Sequence, residues 1–371
     1  MRFRLGVLLA ALVVAVPSLA AGPSVEGNAY LVQNGTTGEV LLSWNAREQL
    51  PIASITKLMT VLVALEHVQL GDVVTVSRRA ASIGESSIHL RRGERISVRD
   101  LIEAALIQSA NDAALALAES AGGSVARFVE LMNEKAAALG LDDTHFANPD
   151  GLDAPGHYSS ARDVTRLARI AMKNRVIARI VAKQESSISG NRRLSTWNDL
   201  LSTFPGTFGV KTGHTAGAGW SEVAAARTHG VTIYATLLGS PARSVRNDDL
   251  TELLAWGLTR YRLVTLISKE RVYAVARAPY GRAPLELRVP SEVRQIVRVD
   301  RSLVEEVVAP EAVSLPVRTG QQLGEVRVYR GRKLLVSRPL IATRSIAKPG
   351  FFGRAGWYAG QAAHNAWSWI T

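Results

Sequence analysis

Cysteine is missing from all 371 residues. That excludes disulfides and thiolate metal sites. It suits an exported bacterial envelope protein and argues against a small disulfide-stapled one. Acidic residues are in short supply, 32 against 44 Lys and Arg, for a net charge of +12. Such a surplus favours polyanionic surroundings such as phospholipid head groups or anionic wall polymers. Nucleic acid is not an expected partner, because zinc-finger spacing, an RNA-recognition signature and a basic low-complexity arm are all absent. The histidines His145, His157, His214, His229 and His364 lack metal-ligand spacing, so no metal or other cofactor is expected. His145 and His157 read as loop-structuring rather than catalytic.

Long apolar runs are also scarce. The one that stands out, Leu5 to Val16, follows Arg2 and Arg4 and ends at Pro17. With the small residues of Ser18-Leu19-Ala20 after it, the segment 1–20 reads as a secretory signal cleaved after Ala20 or nearby. The run is short for a membrane span. The remaining length is enough for two domains with substantial cores.

Along the chain, Ala29-Tyr30-Leu31-Val32 and Val40 to Trp44 flank Asn34-Gly35-Thr36-Thr37-Gly38, a hairpin pattern. A helix is expected from near Ser54, a short strand over 73–76, and a helix capped by Ser97 and Asp100 running to about Gln108. After an interruption at Ser109, helices are expected over 112–121 and from the Ser124 cap to Leu139, then over 161–182. An ordered loop spans 144–160. Strands are expected over 222–227 and 231–238, with the His229-Gly230 turn between them, and a closing helix over 248–261. Beyond Leu263 the texture turns to short β-branched runs with turn residues, including 272–275, 285–289, 295–299, 312–316, 324–329 and 334–336. The tail from Pro349 places Phe352, Gly356, Ala359, Ala363, Ala366, Trp367 and Ile370 on one helical face. Trp357, Tyr358 and Trp369 lie at its margins, as in an interfacial helix.

The chemistry centres on Ser54-Ile55-Thr56-Lys57. Residues three apart share a helix face, so the Lys57 amine can reach the Ser54 hydroxyl. Serine needs an adjacent base to act as a nucleophile, and lysine serves only with a lowered pKa. The spacing alone is weak, since Ser-x-x-Lys occurs about once or twice by chance in a chain of this length. Two further motifs follow. Ser109-Ala110-Asn111 lies between helices; its serine can relay a proton and its amide can orient Lys57 and a substrate carbonyl. Lys211-Thr212-Gly213 lies just before the strand pair, where lysine and threonine can hold a carboxylate and glycine lets a substrate backbone approach. The three together, in this order, match Ser-x-x-Lys, Ser-Asp-Asn and Lys-Thr-Gly of penicillin-binding proteins and class A β-lactamases.

On these residues the chain resembles the low-molecular-mass penicillin-binding proteins, the serine-type D-alanyl-D-alanine carboxypeptidases that trim peptidoglycan stem peptides. Phe146 to Asp153, Pro155 to Asp163, and Lys211-Thr212-Gly213-His214-Thr215 with Gly219-Trp220 extend the likeness over nearly the whole length. It departs at Ile55-Thr56 and at Ala110, where glycine is commoner. The resemblance implies a mixed α/β (α+β) fold with four parts: the signal over 1–20, a β-lactamase/transpeptidase-like domain over 24–262 with an antiparallel sheet flanked by helices, a small β-sandwich-like domain over 263–345, and an amphipathic membrane-associating tail over 346–371. It implies that Ser54 attacks the penultimate D-alanine carbonyl, that Lys57 takes its proton, and that Ser109 and Asn111 complete the network. Backbone N–H groups of Ser54 and His214 would form the oxyanion hole, worth roughly 3 kcal/mol per donor. Lys211 and Thr212 would face the terminal carboxylate, with Arg246 a second contact or a solvated arginine at a helix start. β-Lactams would acylate Ser54, and the protein would sit in the periplasm on the outer face of the inner membrane. A β-lactamase needs a base for deacylation, and the 144–160 loop has no glutamate, though Asp150 and Asp153 are there. A D,D-endopeptidase shares every motif, and a wall-binding scaffold with a decayed site is the non-enzyme alternative.

Overall fold

In the computed structural model, residues 5–10 and 22–367 are described. Five antiparallel strands carry the site, in the spatial order Val40–Trp44, Ala29–Asn34, Val231–Ser240, Gly219–Thr228, Thr207–Thr215. The expected N-terminal hairpin supplies the first two. The Thr207–Thr215 strand lies at the edge, so one side of its backbone is open to pair with an extended ligand. The sequence suggested a strand pair after Gly213; the structure runs the strand through Lys211, Thr212 and Gly213 themselves.

Helices Lys57–His67 and Asn111–Gly122 form the centre of the helical layer. Every residue from Asn111 to Ala118 is buried, and so is every residue from Lys57 to Ala64. A helix apolar on all sides belongs inside a core. Ala113, Ala114, Ala116 and Ala118 supply small side chains that permit close packing, and Phe128, Met132 and Phe146 fill the space around them.

Three expected helices differ in detail. The Ser97 helix is α-helical over Val98–Glu103, then widens into a π turn over Ala104–Gln108. The 161–182 helix is broken into Ala161–Ala171 and Arg175–Val181, because Asn174 turns out of the helix and caps the second piece through Val176 N–H. The closing helix starts earlier, at Arg243, and ends at Thr259. A hairpin of Glu185–Ile188 with Arg192–Ser195 was not foreseen.

The chain divides into two compact units at Thr259 and Arg260, with Leu5–Ala10 grouping with the second. Among its described residues the second unit is all-β up to its last helix. Its main sheet runs in the order Leu5–Ala10, Leu303–Pro310, Gln322–Arg330, Lys333–Ala342, Leu285–Arg288, Ala274–Ala276, beside a ribbon of Tyr261–Ile267 and Val293–Arg298. The strand expected over 312–316 does not form; only isolated bridges at Ala312 and Val317 occur, around Pro316, whose ring leaves no N–H for a ladder. The neighbouring Leu303–Pro310 takes that place, with strict alternation of buried and half-buried residues. The secretory signal expected over 1–20 lies outside the described residues except for Leu5–Ala10, which pairs antiparallel with Leu303–Pro310. The last helix, Phe351–Trp367, rests Trp357 and Tyr358 edge-on against Tyr280, while Phe351 and Phe352 are exposed.

Candidate active site

Ser54 sits in a single 3-10 turn, Ala53–Thr56, that runs directly into the Lys57–His67 helix. Ala53 just before it has φ of +46°, a conformation non-glycine residues rarely adopt and one that clusters at functional sites. Lys57 Nζ lies 2.6 Å from Ser54 Oγ, 2.7 Å from Asn111 Oδ1 and 2.6 Å from the Asp150 carbonyl oxygen. The lysine is fully buried, and burial lowers its pKa to about 8.

These three contacts decide what the amine can do. Asn111 Oδ1, assigned through Nδ2 donating to Gly84 O at 3.2 Å, is an obligate acceptor, and so is a carbonyl. A neutral amine has two N–H bonds and one lone pair. The two carbonyl-type oxygens take the N–H bonds, and the lone pair is left for the Ser54 hydroxyl.

Ser109 ends the π turn in the left-handed region, with φ of +63°. This reversal brings its hydroxyl toward the edge strand, where Lys211 Nζ donates to Ser109 Oγ at 2.9 Å. Lys211 is also fully buried, and burial lowers its pKa well below the ordinary lysine value. Asp112 follows the motif and accepts from Ser87 Oγ and from Ile88 and Leu90 N–H, which fixes the loop before it.

Two glycines let the walls close. A Cβ on Gly213 would stand 2.7 Å from the Ile52 carbonyl oxygen and 3.0 Å from the Ser54 nitrogen. One on Gly151 would stand 2.0 Å from the Ala53 carbonyl oxygen, at a φ of +90°. The Asn148-Pro149-Asp150-Gly151 turn is held by its own side chains, with Gly151 N–H donating to Asn148 Oδ1 and Leu152 N–H to Asp150 Oδ1. Thr60 Oγ1 donates to the Pro149 carbonyl. His157 accepts from Ala147 N–H through Nδ1, so its Nε2 carries the proton and donates to Thr56 Oγ1 at 2.8 Å. Asp153 accepts from Thr215 Oγ1 and Gly217 N–H, tying the same loop to the edge strand.

One cleft is lined by Ser54, Ser109, Thr212, Gly213, His214 and Arg246. Lys57, Asn111 and Lys211 lie buried at its floor. Every residue that the sequence assigned to catalysis or substrate binding is therefore at or beside this cleft. Arg246 is not a solvated arginine: it is 1% exposed and pairs with the fully buried Glu222. Glu85, Ser86, Trp197 and Trp220 also line the cleft. Of these only Trp220, next to the Lys-Thr-Gly strand, carried any signal in sequence. Among the described residues no cluster of potential metal ligands occurs.

A serine with a buried lysine at a helix start, a Ser-x-Asn turn beside it and a Lys-Thr-Gly edge strand opposite define the active-serine class of penicillin-interacting enzymes. The sequence model of the peptidase S11, D-alanyl-D-alanine carboxypeptidase, family matches residues 17–242, and the chain belongs to that family. It is 32% identical over 349 residues to D-alanyl-D-alanine carboxypeptidase DacC of Escherichia coli (strain K12), covering 90% of this chain and 87% of that one. It is 31% identical over 339 residues to DacF of Bacillus subtilis (strain 168), covering 88% and 87%. Penicillin-binding protein 5 from Haemophilus influenzae matches with a TM-score of 0.66 at 25% identity, over 89% of this chain and 100% of that one. The Streptomyces K15 DD-transpeptidase matches with a TM-score of 0.61 at 30% identity, over 65% and 100%.

Proposed function

We propose that this chain is a serine D-alanyl-D-alanine carboxypeptidase that removes the terminal D-alanine from peptidoglycan stem peptides through a Ser54 acyl-enzyme. The observation that carries this reading is the Lys57 amine, 2.6 Å from Ser54 Oγ, with both of its other partners obligate acceptors. Neutral Lys57 takes the hydroxyl proton as Ser54 Oγ attacks the penultimate carbonyl carbon. Ser54 and His214 backbone N–H groups receive the developing oxyanion, roughly 3 kcal/mol for each donor. The bond to the terminal D-alanine nitrogen breaks, and a proton reaches that nitrogen through the Ser109 hydroxyl, which Lys211 holds. Asn111 fixes Lys57 through Oδ1 and donates an Nδ2 hydrogen to a substrate carbonyl. Water then takes the place of the departed amine and hydrolyses the ester. Lys211, Thr212 and Arg246 bind the terminal carboxylate, and Gly213 leaves room for the peptide along the edge strand. β-Lactams bear the same carboxylate and a strained amide, and they acylate the same serine.

The loop acids support hydrolysis of peptide over rapid turnover of penicillin. Asp150 and Asp153 spend their carboxylates on backbone and Thr215 contacts within the wall. Among the residues lining the cleft only Glu85 is acidic.

The reading extends to location. An exported enzyme of the cell envelope is supported by the leader-type N-terminus and the envelope substrate. Among the described residues no helix is long and apolar enough to cross a membrane. The Phe351–Trp367 helix, with Phe351 and Phe352 exposed, is suited to lie at a membrane surface. Loss of vesicle co-sedimentation on truncation after Lys348 is the expected result.

The test is incubation of the protein with fluorescent penicillin beside Ser54→Ala, with D-alanine release from a D-Ala-D-Ala peptide followed in parallel. An adduct on Ser54 together with release is expected. Fast penicillin turnover without release would make it a β-lactamase, and no adduct would make it a binding protein. Transfer to an added amine, read by mass, would make it a transpeptidase.

A further inference from the structure

One buried charge beside the cleft has no part in the chemistry above. Glu222 is fully buried and stands directly opposite Thr212 in the antiparallel register of the edge strand and its neighbour. Directly opposed residues project on one face. The next pair on that face is His214 with Trp220, whose rings stack at 4.0 Å. Glu222 therefore sits behind Thr212, on the inner side of the carboxylate subsite.

Its surroundings are poor for a charge. Glu222 Oε2 lies 3.1 Å from Arg246 Nε, yet neither carboxylate oxygen has a hydrogen bond. Arg246 divides its guanidinium further, between Asn247 Oδ1 at 2.6 Å and Asp199 Oδ2 at 3.4 Å. The charged groups that face Glu222 are Arg246, Lys211 and Arg243, all basic, and Asp199. Burial pushes its carboxyl up to about 7, against the pull of Arg246. A buried carboxylate with one ion contact and no hydrogen bond is held only by its counter-charge.

That counter-charge is the cation a substrate carboxylate would use. A second anion entering beside Arg246 and Lys211 repels the first, and the one with no hydrogen bonds yields. We propose that Glu222 is the proton-exchanging counter-charge of the carboxylate subsite. It balances the Arg246 charge in the free protein, and it takes up a proton when a carboxylate-ended ligand binds. The proton comes from the buffer, adds to a Glu222 carboxylate oxygen, and returns when the ligand leaves. The cleft thereby keeps a constant net charge, whereas a ligand whose end is neutral leaves the Glu222–Arg246 pair as it is and takes up no proton. This inference rests on the carboxypeptidase reading, since it assumes a terminal carboxylate in this cleft.

Two consequences separate Glu222 from Lys57. Turnover rises with pH as Lys57 loses its proton. The KM for carboxylate-ended peptide rises over the same range as Glu222 ionises and resists the ligand, about tenfold for one pKa unit of coupling. Glu222→Gln keeps an oxygen for Arg246 Nε and cannot ionise, so its KM is flat from pH 6 to 8.5 and lower than wild type at the alkaline end. Lys211 also titrates, and its deprotonation would raise KM too. Removing a neighbouring anion makes Lys211 lose its proton earlier, so a KM that climbs at lower pH in Glu222→Gln overturns the proposal.

Binding tests the same point without turnover and without altering Glu222. A D-Ala-D-Ala peptide is titrated calorimetrically into the Ser54→Ala protein at pH 7.5, in two buffers of different ionisation enthalpy. Net proton uptake is expected with the free carboxylate, none with the C-terminal amide, and none with carboxylate in Ser54→Ala/Glu222→Gln. Equal uptake with or without Glu222 assigns it to the lysines and overturns the proposal. A penicillin adduct on wild-type Ser54 with no proton uptake sinks this inference alone; neither adduct nor peptide binding sinks the carboxypeptidase reading with it.

Discussion

The Asp150 carbonyl oxygen accepts a hydrogen bond from Lys57 Nζ at 2.6 Å, across 93 residues of chain. The contact gives the loop a chemical duty that none of its side chains performs. It takes one N–H of the amine, Asn111 takes another, and the lone pair is left facing Ser54. The loop's internal bonds, from Asn148 and from the Asp150 carboxylate, hold that carbonyl in position.

Activity is expected to rise with pH through about 8 and then level, because Lys57 is a base only when neutral and its pKa lies there. The acylation rate by penicillin, measured from pH 6 to 9.5, checks this. The same shift predicts a stability effect. Unfolded lysine titrates near 10.5, so between about 8 and 10.5 the unfolded chain binds more protons and folded stability increases with pH. The shift corresponds to about 3 kcal/mol. Lys57→Met, which removes the buried charge, is expected to abolish acylation while leaving the urea midpoint at pH 7 equal to or above wild type. A marked fall in that midpoint would mean that the hydrogen bonds outweigh the burial cost.

Gly151→Ala is expected to cost more than about 2 kcal/mol, since the added Cβ meets the Ala53 carbonyl and the backbone is in the left-handed region. The wall would retreat from the nucleophile turn, and acylation would slow as well. Denaturation and penicillin acylation of the one variant measure both. An alanine tolerated on both counts would refute the close approach.

Much of this was legible in sequence for identifiable reasons. Ser54 with Lys57 is a local pair that the two later motifs made specific, and Asn34-Gly35 with its flanking alternation is a local hairpin. The Ser97 and Ser124 caps marked helix starts in the same way. What escaped reading depends on contacts remote in the chain. Nothing near Ala104 to Gln108 announces a π turn, whose register is set by Ser109 reaching the edge strand. Leu303–Pro310 was passed over because Glu305 and Glu306 depress strand propensity; burial of Glu305 against Arg271 overrides it. Glu222 read as an ordinary strand residue because its partner Arg246 arrives from a helix 24 residues on.

Stability is expected to fall between pH 6.5 and about 4 through His157. Its folded pKa is lowered to about 4 by burial, while the unfolded ring titrates near 6.5. Across that window the unfolded chain binds the extra proton, so stability present above 6.5 is lost as pH falls, by about 3 kcal/mol at the lower end. His157→Phe removes this titration but also the links to Thr56 and Ala147, about 1–3 kcal/mol at neutral pH. Urea unfolding at pH 7 and pH 5 should therefore show a weaker variant at pH 7 whose loss on acidification is smaller than wild type's. Parallel losses in both proteins would assign the acid sensitivity elsewhere.

The pair of Arg246 and Glu222 is expected to behave non-additively. Arg246→Leu leaves Glu222 buried with its closest cation gone, and breaking a buried pair from one side costs about 3–5 kcal/mol. Glu222→Leu leaves Arg246 with Asn247 and Asp199 still in reach, so its cost is smaller. The double variant Arg246→Leu/Glu222→Leu removes both desolvated charges, and it should be more stable than Arg246→Leu alone by at least about 2 kcal/mol. Its catalytic defect should nevertheless match that of Arg246→Leu, because the substrate carboxylate has lost the same cation. Urea midpoints of the three variants and KM for a carboxylate-ended peptide make up the cycle. Stability that recovers while KM does not is the signature of a pair kept for ligand charge rather than for folding. Recovery of neither would mean that Glu222 is held by Lys211 instead, and additive stability losses would mean that the 3.1 Å contact carries no coupling.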